Sequence, residues 1–497
     1  MKKNIVYLLI AFLLIGLLAG CSPVATTTST STSLTTGTDA TTIETSATTI
    51  TIAHIQGEWM WPILDELGKQ WNELSGNTVE WIYVPADSNA EWQQAQFAAG
   101  NEPDALFNTV DALTYFRSGK LADLTEYYNA PNKYNGEIWK DTYLEGALDD
   151  CIDKENGNKY FAIATTGVTV NMYYNKDLLK SLGLPDDKAP ESWTEVLQYC
   201  EAAANSDQSI VPFSIQNSIN WNLGSSWLYT NFLEDLYVNS GILESLDIIN
   251  PNGRLENNEI VLGLKSGKIK YTDPQIVAYF DYMKKLSAYF NKDFNSISWE
   301  FEGIFTSGQS LMTNNGSWFP NQVITNDIDI NYLVAPMPYV DSSIYSNARN
   351  KPVYYAPYPG EAGNTVTTRA KMTGTIDEVI DFYQFMTDKN SGAKLFAEKT
   401  MFIPLVKGVG VPAPIQNIVD GLGDETYKTR LGFVIFSLNA EHDAKYFEAY
   451  QKFLSDSGKS ASAFCEEMQI LGDKYVDMVI AEMPEYSVIE QYIDKVK

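Results

Sequence analysis

Thr51-Ile52-Ala53-His54-Ile55 is a short apolar run that passes directly into Gln56-Gly57-Glu58-Trp59. From about Pro62 the apolar residues change spacing, and Ile63, Leu64, Leu67 and Trp71 recur at the helical period. Val79 to Val84 reads as a second strand and Glu91 to Ala99 as a second helix. Ala105-Leu106-Phe107 is a short third strand that ends in polar Asn108 and Asp111 before another helix. This alternation predicts an open, mostly parallel α/β sheet. Ligands of such sheets sit beyond the carboxyl ends of the strands, so Gln56–Trp59 and Asn108–Asp111 are expected to face one crevice.

Further along, Val168 to Asn175 is rich in β-branched and aromatic residues and suggests a strand. Ser192-Trp193-Thr194-Glu195 has the form of a capping box opening a helix through Val196, Leu197 and Cys200. Asp273-Pro274 starts another helix, with Ile276, Val277, Phe280 and Met283 on its apolar face. Thr375-Ile376-Asp377-Glu378 repeats the capping pattern, and from Tyr427 onward the pattern is helical to the end.

Upstream of the first strand the chain has a different character. Lys2 and Lys3 precede a nearly unbroken apolar stretch from Ile5 to Gly20, the layout of a secretory signal. Leu18-Ala19-Gly20-Cys21 resembles a bacterial lipobox, in which cleavage before the cysteine is followed by its acylation, with palmitate as a representative chain. The rivals are an ordinary signal peptide and a transmembrane anchor. The apolar run is short for a span and lacks a charged stop-transfer flank. Lipid on Cys21 holds a protein on a membrane without spanning it. Residues 22–50 are dominated by Thr and Ser and have too little apolar surface to order, so they read as a flexible tether of roughly 30 Å.

About 450 residues remain, enough for two or three domains. A net charge of −28 argues against nucleic acid as a partner and disfavours anionic ligands. Beyond Cys21 only Cys151, Cys200 and Cys465 remain, an odd set with no metal spacing, expected as buried thiols with at most one bridge. His54 and His442 are the two histidines, which leaves no His-rich metal site; no cofactor motif and no hydrolase motif is present.

Four segments in order then resemble the extracellular solute-binding proteins of ABC importers, family 1, and within it the carbohydrate-binding branch that includes maltose-binding protein. They are Pro103-Asp104-Ala105-Leu106-Phe107 leading to Gly119-Lys120-Leu121-Ala122-Asp123-Leu124; Tyr173-Tyr174-Asn175-Lys176-Asp177-Leu178-Leu179 with Trp193-Thr194-Glu195; Phe305 to Gly308 with Met312 to Gly316-Ser317-Trp318; and Tyr332-Leu333-Val334-Ala335-Pro336-Met337-Pro338. The resemblance implies a periplasmic-binding-protein-like α/β fold, a type II two-lobe clamp with hinge crossings. Those crossings would fall near Phe161–Ala164, before Ala335-Pro336, and near the helix after Thr375. The implied organisation is a signal peptide over 1–20, the lipidated cysteine and linker over 21–50, one lobe from 51–162 plus 332–380, and the other from 163–331 plus 381–497. It also implies a monomeric binding protein on the outer face of a Gram-positive membrane, a permease partner, and no enzymatic activity.

Sugars present apolar ring faces edged by hydroxyls, so their sites pair aromatic platforms with directional polar groups. The chain has 11 Trp, several at loop positions. The resemblance makes Trp318 the foremost stacking candidate, against a core role at a strand end. Glu58 and Trp59 follow the first strand, where an exposed loop pair is the rival. Asn108 and Asp111 close the third strand, Asp111 having helix capping as its alternative. Thr165, Thr166 and Gly167 lie past the first crossing; Asn217, Asn220 and Trp221 form a polar-aromatic run in the second lobe. Trp227, Trp299 and Glu300 are weaker candidates. The stretch between Pro338 and Thr367, with Tyr354, Tyr355, Tyr358 and Gly360-Glu361-Ala362-Gly363, is either a lid or a surface insertion.

A sugar, in particular an oligosaccharide, is therefore the expected ligand. The alternatives are the same fold binding a peptide, a polyamine or another small solute, a carbohydrate-active enzyme using carboxylates such as Glu58 and Asp111, and an adhesion or scaffold lipoprotein.

Overall fold

The computed structural model describes residues 47–497 except 56, 86–87, 155, 218–227, 229–231, 238–239, 250, 252–254, 256, 297–299, 351–362, 417–437, 456–457, 484–485 and 497. Residues 47–497 form one compact unit. Cys21 and the linker before residue 47 lie outside the described residues.

Strands β1 (Thr49–His54), β2 (Thr78–Tyr83) and β3 (Ala105–Leu106) arise where the sequence predicts them. β1 pairs in parallel with both others, in the register Ile52↔Trp81, His54↔Tyr83 and Ile52↔Ala105. Ile50 and Ile52 point into a core with Leu64, Leu67 and Trp71, while Ala53 points to the opposite face with Phe97, Leu106 and Leu121. The sheet is thus buried on both faces, as a parallel sheet requires. The helix Trp61–Ser75 has Pro62 in its first turn and stops at Gly76, whose φ of 76° lets its N–H reach Asn72 O.

A short hairpin, β4 (Ile152–Asp153) with β5 (Lys159–Tyr160), precedes β6 (Thr166–Gly167). A second sheet contains β7 (Val170–Asn175), β8 (Val211–Ser214), β9 (Ser310–Gly316) and β10 (Tyr332–Pro336), in the order β10-β7-β9-β8. Only β8–β9 is parallel there, so the second sheet is mixed. Its core is dominated by aromatics, among them Trp193, Phe213, Phe232, Tyr279, Phe280, Phe453 and Phe464. The helix Trp193–Ala204 opens with the expected reciprocal bonds between Ser192 and Glu195. The first sheet is completed by β11 (Thr365–Val366), antiparallel to β3, and β12 (Ile403–Pro404) pairs with β6.

Two lobes result, but their boundaries differ from expectation. Residues 332–336 form the edge of the second sheet, with Leu333 opposite Tyr174, so they do not belong to the first lobe. The chain from 381 to about 406 does belong there: Phe382, Tyr383, Phe385, Met386 and Phe396 pack in the core that holds Trp71 and Phe107, whereas Leu438 onward packs in the second core. The physical reason is that the helix Ile376–Met386 is buried at every position from Val379 to Met386 and cannot be divided at 380. The first crossing, at 165–169, lies next to Phe161–Ala164. The second falls between Ala348, packed on the second core, and Asn364, bridged to Ile163. The third falls between Val406 and Leu438.

One cap also differs. Thr375 makes no side-chain cap; its hydroxyl donates instead to Asp104 Oδ1 at 2.7 Å, tying the two ends of the first lobe. Asp273 likewise makes no side-chain cap, although Pro274 opens the helix Pro274–Ser287. Cys151, Cys200 and Cys465 are buried free thiols. Among the described residues no helix is long and apolar enough to cross a membrane, and no group of His, Cys, Asp or Glu is placed to hold a metal ion.

Candidate functional site

Three aromatic residues from three distant segments meet at the junction of the lobes. After β1 the chain makes a 3-10 turn, Glu58–Met60, that leaves Trp59 half-buried. After β9 the Gly316-Ser317 pair delivers Trp318, also half-buried. Both indoles stand edge-on to the ring of Phe402, each with centroids 6.3 Å apart and interplanar angles of 85° and 90°. Phe402 is itself buried. It is fixed by Met401 in the left-handed region (φ 58°), by a bond from its N–H to Thr400 Oγ1, and by an edge contact with Phe396.

The position of Trp318 is set from beneath. A Cβ on Gly316 would lie 2.1 Å from Trp318 Cζ3, so the indole occupies the space a side chain would need. Ser317 N–H donates to Thr169 O, and the Tyr173 hydroxyl donates to Gly316 O. Asn315 accepts the Gly316 N–H at 2.7 Å and donates its own amide to Glu302 Oε1 at 2.6 Å. Burial raises the Glu302 carboxyl to about 7, and the bond from Asn315 opposes that shift.

Buried polar groups lie on the segment paired beside Phe402 and at the end of β8. Asn364 Nδ2 donates to Thr165 Oγ1 at 3.0 Å, and Thr166 stands opposite Pro404, two residues from Phe402. Thr166 Oγ1 and Asn364 Oδ1 are buried with no hydrogen-bond partner. The same is true of both amide atoms of Gln216, fully buried just past the end of β8. Leaving such groups unpaired costs about 1–3 kcal/mol each. A ligand hydroxyl, both donor and acceptor, is chemically suited to satisfy them.

The turn after β3 is held in an unusual shape. Asn108 and Asp111 both have positive φ (60° and 50°). Asn89 and Gln93 donate to Asn108 O, Gln93 accepts the Val110 N–H, and Thr109 binds Thr365 and Gly363. Asp111 heads the helix Ala112–Arg117 but makes no side-chain cap and is exposed, so the capping alternative is not taken up.

Asn217 is fully buried; its amide donates to Asn295 Oδ1 and its carbonyl accepts from Gln451, bonds within the second lobe. Its neighbour Gln216 carries the unpaired groups. Glu300 begins the helix Glu300–Thr306 on the surface. The Glu58 side chain, Asn220, Trp221, Trp227, Trp299, Tyr354, Tyr355 and Tyr358 lie outside what the structure describes. Phe402, Glu302, Gln216 and Asn364 are not among the residues the sequence points to; Gln216 directly precedes the polar-aromatic run that begins at Asn217.

Residues 66–419, most of the chain, match the family described as bacterial extracellular solute-binding protein. The chain belongs to that family. The solute-binding protein is 23% identical over 349 residues to the sn-glycerol-3-phosphate-binding periplasmic protein UgpB of Brucella melitensis, an alignment covering 69% of this chain and 71% of that one. Its fold is similar to that of a chitin oligosaccharide binding protein (TM-score 0.62, 19% identity, 87% of this chain and 99% of the other). It is also similar to maltose-bound MalE3 of T. maritima (TM-score 0.58, 18% identity, 86% and 100%). These structures establish the two-lobe fold. The family binds solutes and is not one of enzymes, so the reading of Glu58 and Asp111 as an acid-base pair is set aside.

Proposed function

We propose that this protein captures a neutral oligosaccharide between its lobes and delivers it to an ABC permease, while lipid on Cys21 and the Thr-rich linker tether it to the outer face of the membrane. The observation that carries the sugar reading is the convergence of Trp59 and Trp318 on Phe402. Two partly exposed indoles from opposite lobes offer apolar faces of the kind sugar rings stack on. Thr166, Asn364 and Gln216 supply buried groups for hydroxyls, and Asp111 and Asn108 sit at the adjoining strand end. Solved structures of similar fold are named for chitin oligosaccharide and maltose. In such a design the ligand draws the lobes together, and the permease reads the closed state.

The curated relatives bind sn-glycerol 3-phosphate, which makes a phosphorylated polyol the second reading. A phosphate calls for cations or helix N-termini. The described site residues named above are aromatic, neutral polar or acidic, and the chain carries a net charge of −28. That balance favours a neutral ligand.

A thermal-shift panel of neutral oligosaccharides, sn-glycerol 3-phosphate, short peptides and polyamines separates these readings, because a specific ligand raises the melting temperature with its excess over Kd. A shift with a neutral oligosaccharide is expected. A shift with sn-glycerol 3-phosphate and none with any sugar would replace the sugar reading.

A further inference from the structure

Trp61 and Tyr83 are 40% and 44% exposed. They are the two aromatic residues among the large exposed hydrophobic side chains of the described residues, and they touch: their ring centroids are 5.4 Å apart at 69°. The other exposed hydrophobics, such as Leu74, Ile324, Met372 and Ile470, are aliphatic residues of the ordinary kind found on any surface.

Their place in the fold is specific. Tyr83 ends β2 directly opposite His54, the last residue of β1, and Trp61 is the first residue of the helix that follows β1. Both therefore lie at the carboxyl edge of the parallel strands, where ligands of such sheets bind. Trp59 of the aromatic cluster is two residues from Trp61, at most about 7 Å along the backbone. The pair is also braced. The buried ring of His54 lies 5.8 Å from Tyr83 and 5.8 Å from Trp81, so Tyr83 rests on a fixed layer. Rings held in this way lose little freedom when a ligand stacks on them.

We infer that Trp61 and Tyr83 form an outer aromatic subsite that takes a further sugar unit of the same ligand, so that the site selects an oligosaccharide over a mono- or disaccharide. This rests on the sugar reading of the Trp59–Phe402–Trp318 cluster. Trp59 turns toward Phe402 and Trp61 toward Tyr83, which carries the platform outward across the top of the first sheet.

Calorimetric titration of the mature protein with xylo-, chito- and malto-oligosaccharides of two to six units tests the inference. In the series that binds, wild-type affinity should climb with length and then level off. Trp61→Ala and Tyr83→Ala should each weaken the longest member roughly 5- to 20-fold, as expected for the loss of one stacked ring, with the loss confined to the longer members. Trp61→Phe and Tyr83→Phe, which keep a ring, should recover most of it, and unchanged melting temperatures of the unliganded variants would show that folding is intact. Sugar binding that ignores length, or that Trp61→Ala and Tyr83→Ala leave unaltered, overturns the outer subsite alone. If no series binds the wild-type protein, the sugar reading and the subsite fall together.

Discussion

Gly316 and Trp318 cannot both carry side chains in the arrangement observed, because a Cβ at position 316 would stand 2.1 Å from the indole of Trp318. The glycine is not needed for a left-handed backbone; it is needed for space. Its N–H and carbonyl are both pinned, by Asn315 and Tyr173, so the backbone has little room to yield. Gly316→Ala should therefore move the indole. Ligand affinity is expected to fall at least about tenfold, with overpacking costing roughly 1–3 kcal/mol of stability. Unchanged affinity in calorimetric titration would show that the position of Trp318 is irrelevant to binding.

Trp318 and Phe402 touch one another yet should respond oppositely to truncation. Phe402 is buried in the first core, so Phe402→Ala is expected to cost about 3–5 kcal/mol of unfolding free energy. Trp318 is half-buried, and Trp318→Ala should abolish ligand-induced stabilisation while changing the unliganded protein far less. Denaturant unfolding with and without ligand separates the two. Equal losses of intrinsic stability would make Trp318 a core residue.

Glu302 should leave a signature in the pH dependence of stability. Its ordinary value of 4.5 is raised to about 7 in the folded protein, chiefly by burial. Between those values the folded state keeps a proton that the unfolded chain releases, so the contribution of Glu302 to stability is fully present below about pH 4.5 and is lost as pH rises to about 7. Glu302→Gln keeps an acceptor for Asn315 but removes the titration. The variant should gain on the wild type from about nothing at pH 4.5 to about 1–3 kcal/mol at pH 8. Asp235, raised to about 6 by burial, has the same sign and is common to both proteins, so it drops out of the difference. Parallel curves from pH 4 to 8 would count against the account of Glu302.

The first lobe was largely legible in the sequence, and the reasons are local. β1, β2 and the helix Trp61–Ser75 follow from periodicity, and the capping box at Ser192 from short-range hydrogen bonding. What escaped depends on distant partners. β6 and β12 are two residues each and exist only because Thr166–Gly167 meets Ile403–Pro404 across the chain. Phe402 looks like any apolar residue after a helix until that pairing brings it under two tryptophans. The lobe boundaries failed because a helix buried nearly all round, Ile376–Met386, does not announce which core it joins. At the site, Trp59 and Trp318 were readable as aromatics at strand ends. Asn217 and Gln216 are adjacent and equally buried, and nothing in their sequence tells apart the one bonded to Asn295 from the one with unpaired amide atoms.

The tether makes its own prediction. If Cys21 is the acylated residue, Cys21→Ser should abolish incorporation of labelled palmitate and release the protein from the membrane fraction of a Gram-positive host. Retention of label or of membrane association by the variant would assign the anchor elsewhere.

Trp318, with Trp59 and Phe402, is proposed to hold a neutral oligosaccharide. Isothermal titration of wild-type protein and of Trp318→Ala with the same neutral oligosaccharides tests it most directly. Saturable binding of at least one oligosaccharide by the wild type and its loss in the variant are expected, with both proteins folded. Saturable binding of equal affinity in both, or heat with sn-glycerol 3-phosphate and with no sugar, would contradict it.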